Sequence, residues 1–303
     1  MGFEVGLDET PARADPSIET DDWSEPIEPG PAERGIVWFV DGVRRVELRL
    51  IADDEGTRAP GLFGSYGVGA VRCDGRARFA DHVVARSVVL GGGLRTRRIE
   101  VDVASDRLVY EPATEAGSDA DVPVFGLQKA MQAAEARLAA RIAAEGGGLV
   151  LVDGRLGFLD ATESPVVGVV KRFVRAYLGP AQDPLLARLA PGERTPLFGL
   201  VYEGQPLLRY AWYTRLVPMR PAWHDHAGLV RCEVRAGVGV GRARMLADRV
   251  SASLPAFVGR PNDPRFPQNL APVGALEAWL RHRMGHGGLI RRALTAWLTE
   301  RGG

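Results

Sequence analysis

The apolar and polar positions change their pattern at Ile36. From there "GIVWFVDG" is an apolar run of strand type, and "RRVELRLIAD" either continues it or pairs with it. "GLFGSYGVGAVRCDG" and "ARFADHVVARSVVLGGG" predict two further Val-rich strands bounded by glycine, and "RRIEVDVASDRLVYEPA" predicts a strand pair. "FGLQKAMQAAEARLAARIAAEGGG" is Ala-rich and carries Leu127, Met131, Leu138 and Ile142 at helical spacing, with the glycines Gly146 to Gly148 ending the helix. "GLVLVDGRL" predicts a strand buried on both sides. "SPVVGVVKRFVRAYLG" predicts a strand followed by a helix or turn. "PLFGLVYEGQPLLRYAWYTRLVP" and "GLVRCEVRAG" predict antiparallel strands, and "RARMLADRVSASLPAFVG", "LAPVGALEAWLRHRMG" and "LIRRALTAWLTER" predict closing helices.

Before Ile36 the chain is different. Residues 1–33 hold ten acids and one base, Arg13, with several prolines and little periodicity. They are expected to form an acidic, flexible N-terminal arm that folding does not require, ahead of a single domain over residues 34–303. The formal net charge of zero hides this asymmetry: the chain beyond the arm has a net charge of +9. A basic body is compatible with a nucleic-acid partner without by itself requiring one.

Other features narrow the classes. No apolar run approaches the ~18 residues of a membrane span. The opening residues have neither a basic segment nor an apolar one of signal-peptide type, so a cytoplasmic location is expected. Cys73 and Cys232 form neither a disulfide framework nor a zinc-type spacing. His224, Asp225 and His226 in "WHDHAG" are expected in a surface turn. "GVGVGRA" lacks the Lys-Ser/Thr of a phosphate-binding loop.

The candidate chemistry lies where the strands end. Two apolar runs end in Asp-Gly, at Asp41 and Asp153, and each alone is ordinary turn chemistry. Glu135 stands four residues after Met131 and three before Leu138, on the apolar stripe of its helix, where a carboxylate needs a partner such as a cation. The order is strand with Asp41, further strands, helix with Glu135, strand with Asp153. That is the order of an α/β, ribonuclease-H-like mixed sheet with flanking helices, here followed by C-terminal helices. Three converging carboxylates suit Mn²⁺ or Mg²⁺, and such ions serve phosphodiester hydrolysis. Lys171 is one of only two lysines in a chain whose other bases are arginine. It stands at a strand end, where it could hold a phosphate oxygen. Arg209 and Arg215 flank "YAWYT"; they could contact a DNA backbone, with Tyr210, Trp212 or Tyr213 stacking on bases. The alternative is an ordinary strand with its aromatics turned inward.

This ordered set resembles the NurA-type DNA nucleases. "WFVDGVRR" is similar to their first motif, an apolar strand ending Asp-Gly-Ser, with Val43 in place of the serine. "LVLVDGRL" is similar to the second, Glu135 matches the glutamate on the helix before it, and "VVGVVKRF" resembles the strand followed by lysine. "FPQNLAPVGALEAWLRHRMG" stands where the family has a Tyr-Pro...Leu...Ala-His segment. The resemblance implies Asp41, Glu135 and Asp153 as metal ligands and Lys171 as a catalytic residue. It also implies Mn²⁺ (or Mg²⁺) as cofactor, DNA ends or single-stranded DNA as substrate, a HerA-type hexameric ATPase as partner, and a homodimer. The family's C-terminal histidine has no match: Gly274 stands about where it would fall, and Asn269, Gln268 or Glu277 could take its place. The alternative is a catalytically weakened DNA-binding or ATPase-docking subunit of the same fold.

Overall fold

The computed structural model describes residues 12–32, 35–157, 163–171, 177–202 and 207–301. In chain order the elements are β1 (Ala12–Asp15), β2 (Val37–Asp54), β3 (Thr57–Cys73), β4 (Ala77–Leu90), β5 (Ile99–Val103), β6 (Asp106–Thr114), α1 (Val122–Glu145), β7 (Leu149–Asp153), β8 (Val166–Val170), α2 (Asp183–Arg188), β9 (Phe198–Tyr202), β10 (Leu207–Arg215), β11 (Leu229–Arg235), α3 (Val240–Ser253), α4 (Ala271–Arg283) and α5 (Gly287–Arg301). The protein is a mixed α/β structure. Among the described residues no helix is long and apolar enough to cross a membrane. Residues 1–11 of the expected arm, and much of the helix or turn expected after Lys171, lie outside the described residues.

Contacts divide the chain into two compact units. The first comprises Met1–Val40, Val71–Phe79 and Ala136–Ala275, and the second Asp41–Ala70, Ala80–Glu135 and Leu276–Gly303.

The strand order in the first unit is β1-β9-β10-β11-β8-β7-β2. The pairs from β1 to β8 are antiparallel, and β8, β7 and the start of β2 run parallel. The central β7 and β8 are apolar almost throughout, as expected of parallel strands covered on both faces. Trp212 of β10 is fully buried, and its indole N–H donates to Ser251 Oγ of α3 at 3.1 Å.

Residues 12–32, part of the segment expected as an arm, have partners in this unit. β1 pairs with β9 along the edge of the sheet. The Glu19 side chain is almost fully buried and bridges Arg194 at 2.8 Å and Arg244 at 2.8 Å, while also accepting the Leu197 N–H at 2.7 Å. Burial alone would raise the Glu19 carboxyl, but hydrogen bonds and charge from Arg194, followed by Leu197 and Arg244, hold it down at about 2.

In the second unit the order is β2-β3-β4-β6-β5, with β4 parallel to β6 and β5 antiparallel to β6. Its core gathers Phe63, Val88, Leu90, Ile99, Val101 and Tyr110 with Ile290 and Leu294 of α5. A carboxylate is buried here as well: Glu47 accepts from Ser65 Oγ at 2.6 Å, from Tyr110 Oη and from Arg45 Nη2 at 3.0 Å. Arg45 and Arg86 also donate to the carbonyls of Met284 and Gly285 after α4, where the negative end of a helix favours cations.

α1 and α4 cover opposite faces of β3. A side chain at Gly64 would strike Leu127 of α1, whereas at Gly67 or Gly69 it would meet Leu276, Leu280 or Met284, at 3.2–3.5 Å. Alternate strand positions point to opposite faces, so the even positions of β3 face α1 and the odd ones face α4. The helix stripe read from the sequence holds: Leu127, Met131, Leu138 and Ile142 are all buried. α1 is followed by Gly146 and Gly147 at positive φ, 76° and 99°.

Candidate metal centre

The two Asp-Gly pairs have different local structures. Asp153 ends β7, and Gly154 turns the chain at φ +106°, a conformation glycine adopts without strain. Asp41 does not end its strand: β2 runs on to Asp54, with Asp41 and Gly42 inside it. Pairing in the sheet overrides the local turn preference. The parallel register Val37↔Leu149 to Val40↔Val152 brings the two runs abreast, so that Asp41 and Asp153 each follow a paired valine.

Gly42 is needed for packing, not for a turn. A Cβ there would strike Glu135 Oε1 and would come within 3.0 Å of Met131 Cγ and 3.1 Å of Val68 Cγ2. The Glu135 carboxylate therefore lies against the Cα of Gly42, on the face covered by α1.

Among the described residues, one group of carboxylates has metal-binding geometry: Asp41, Asp153 and Glu277 each offer an oxygen, and these oxygens all lie within 4.8 Å of one another. Glu135, expected as the third ligand, is not among them; Glu277 of α4 is. Asp41 is buried, while Asp153 and Glu277 are half-buried. The donor set fits a hard divalent ion. Bonds of roughly 2.0–2.1 Å in octahedral geometry place neighbouring oxygens about 3 Å apart and opposite ones about 4 Å apart, so a small inward shift of the carboxylates suffices. Oxygen donors without sulfur or imidazole suit Mg²⁺ or Mn²⁺ over softer ions.

Lys171 and Arg281 are in contact with these carboxylates. Lys171 Nζ donates to Asp153 Oδ2 at 2.9 Å, with the two side chains 17% and 22% exposed. Arg281 Nη2 lies 3.2 Å from Glu277 Oε2, one helical turn away on α4.

The other expected contacts fall elsewhere. Arg215 is fully buried and donates to the carbonyls of Leu186 at 2.8 Å, Asp225 at 2.9 Å and Ala227 at 2.6 Å, so it ties backbone segments together. Burial pushes its pKa down, against the pull of Asp225. Arg209 is buried 3.3 Å from Glu233 Oε1. Tyr213 is buried, stacked on Phe198 at 5.6 Å, and Tyr210 and Trp212 are buried too. All five groups are buried within β10 and its surroundings. Asn269 is buried and donates to Asp263 Oδ2 at 2.6 Å. His224 and His226 face each other at 5.2 Å in a turn and belong to no ligand group among the described residues.

Glu277 stood in the sequence only as one of three replacements for a missing histidine.

No protein-family model matches the chain, and no curated protein matches it. Among solved structures, the chain is similar to the NurA nuclease from Sulfolobus solfataricus, with 91% of this chain aligned to 88% of that one at 12% sequence identity and a TM-score of 0.49.

Proposed function

We propose that this protein is a divalent-metal-dependent deoxyribonuclease with a ribonuclease-H-like centre, acting on single-stranded DNA or DNA ends. The observation that carries the reading is the set of three carboxylate oxygens, from Asp41, Asp153 and Glu277, within 4.8 Å of one another. The sequence motifs around Asp41, Asp153 and Lys171 support it independently.

In this reading Asp41, Asp153 and Glu277 hold Mn²⁺ or Mg²⁺. When bound, the ion supplies Lewis acidity toward the phosphoryl oxygens and lowers the pKa of the attacking water. Lys171, already at hydrogen-bond distance from Asp153, holds a non-bridging phosphate oxygen and offsets the charge that builds there. Glu135 keeps a place in the proposal as the carboxylate against the Cα of Gly42, beside Asp41. The sequence resemblance adds a HerA-type hexameric ATPase as partner, a homodimeric state and a cytoplasmic location.

The test is cleavage of end-labelled single- and double-stranded DNA with Mn²⁺, Mg²⁺ or chelator, beside Asp41→Ala. Expected are products with a metal ion and none with chelator or with Asp41→Ala. Cleavage that survives chelation, or an inert wild-type protein with both ions, overturns the proposal.

A further inference from the structure

We propose that Glu233 is a positioning residue of this centre: a buried carboxylate that pins the turn after Asp153 and so sets where Asp153 presents its oxygens. The inference rests on the metal-centre reading above.

Glu233 lies in β11, opposite Gly168 of β8, and Gly168 is in turn opposite Val152 of β7. It is fully buried. Its Oε1 accepts the backbone N–H of Leu156 at 2.9 Å and lies 3.3 Å from Arg209 Nη1, and its Oε2 lies 3.7 Å from Arg231 Nη2.

The turn needs such an acceptor. After Asp153 the chain folds back over the sheet. Gly154 donates to Val169 O at 2.9 Å, and the turn then passes over Gly168, where any side chain would meet Gly154 O at 2.6 Å and Leu156 Cγ at 3.1 Å. Leu156 is itself buried, so its N–H cannot turn to water, and an unsatisfied buried amide is costly. Glu233 supplies a charged acceptor, and charge-assisted hydrogen bonds are roughly twice as strong as neutral ones. Arg209 and Arg231 offset the cost of burying that charge. Apolar residues at these three positions would avoid the desolvation, but none could accept the Leu156 N–H. Asp153, three residues before Leu156, is thus fixed from both sides: by pairing of β7 with β8, and by this hydrogen bond beyond it.

The full chain is tested with Glu233→Gln, Glu233→Ala and Gly168→Ala. Each is followed by thermal melting, Mn²⁺ titration calorimetry without DNA, and amide exchange of the segment containing Leu156. Glu233→Gln retains an acceptor oxygen and is expected to keep Mn²⁺ affinity within about threefold and the Leu156 amide protected. Glu233→Ala, and Gly168→Ala by displacing the turn, are expected to lose roughly 10–100-fold in Mn²⁺ affinity, the range for residues that orient a metal ligand, with faster Leu156 exchange. A folded Glu233→Ala protein with wild-type Mn²⁺ affinity overturns the role. If that variant does not fold, unchanged affinity in Gly168→Ala overturns it. A wild-type protein that takes up no Mn²⁺ overturns the metal reading and this role with it, and that result is distinguishable because it precedes any substitution.

Discussion

Lys171 Nζ stands 2.9 Å from Asp153 Oδ2, so the centre holds a cation against one of its own ligands. The pair competes with a metal ion for that carboxylate and places an ammonium where a phosphate oxygen would arrive. Lys171→Met should leave Mn²⁺ affinity equal or somewhat tighter, measured by calorimetry. Its turnover on single-stranded DNA should fall by about 10²–10³-fold, the usual cost of losing one donor aimed at developing charge. Wild-type turnover in this variant would remove Lys171 from the chemistry.

The ligand set makes a graded prediction. Asp41→Asn, Asp153→Asn and Glu277→Gln each remove one oxygen of the group, and each should weaken Mn²⁺ binding tenfold or more, on the order expected for an ion held by few protein ligands. Glu135→Gln should weaken it less, because Glu135 is outside that group and against Gly42. Salt-dependent DNA binding should survive in all four variants, since it rests on phosphate contacts from other basic residues. Glu135→Gln emerging as the most damaging of the four for Mn²⁺ uptake would return that residue to the ligand set.

What the sequence revealed and what it hid divide along the range of the interactions. α1, β7, β8 and α3 to α5 were legible because burial imposes a local period, visible in residues such as Leu127, Met131, Leu138 and Ile142. β1 was not: "ARAD" is four residues long with only alanine at its apolar positions, too short and too weakly apolar to stand out, and it becomes a strand through its pairing with β9. Asp41 read as a strand end because Asp-Gly favours turns locally, yet β2 continues through it. Glu277 lies far along the chain from Asp153, and no spacing rule links them. Arg209 and Arg215 looked like strand-binding cations because composition does not reveal burial, and both are enclosed.

Gly42→Ala separates packing from turn chemistry. The added methyl would enter the space of Glu135 Oε1, with Met131 Cγ at 3.0 Å and Val68 Cγ2 at 3.1 Å. Overpacking of this kind costs about 1–3 kcal/mol and should lower the melting temperature by several degrees. Gly30→Ala is the control, with nothing within 4 Å of the added atom; its effect should stay within about 0.5 kcal/mol, as for surface substitutions in general. Equal melting temperatures for the two variants would show that β2 has room beside Asp41.

The Glu19–Arg194 pair predicts how stability responds to acid and to loss of the N-terminal segment. The Glu19 carboxyl is held at about 2, against an ordinary value of 4.5. A carboxylate whose folded pKa is depressed stabilises the protein fully above its unfolded pKa, and that contribution fades as pH falls from about 4.5 toward about 2. The difference corresponds to about 3 kcal/mol near neutral pH. Glu19→Gln should therefore melt well below the wild type at pH 7, and the gap should narrow steadily below pH ~4.5. Arg194→Ala should cost more, about 3–5 kcal/mol, because it takes the two-bonded main partner from the buried carboxylate and leaves it only Arg244 and the Leu197 N–H. Removing residues 1–33 deletes Glu19 together with β1. The truncated chain should be destabilised at neutral pH by at least as much as Glu19→Gln, with Arg194 left to Asp248 at 2.7 Å. A truncated protein that melts with the wild type at pH 7 would show that the Glu19 ion pairs and the edge strand add nothing to the fold.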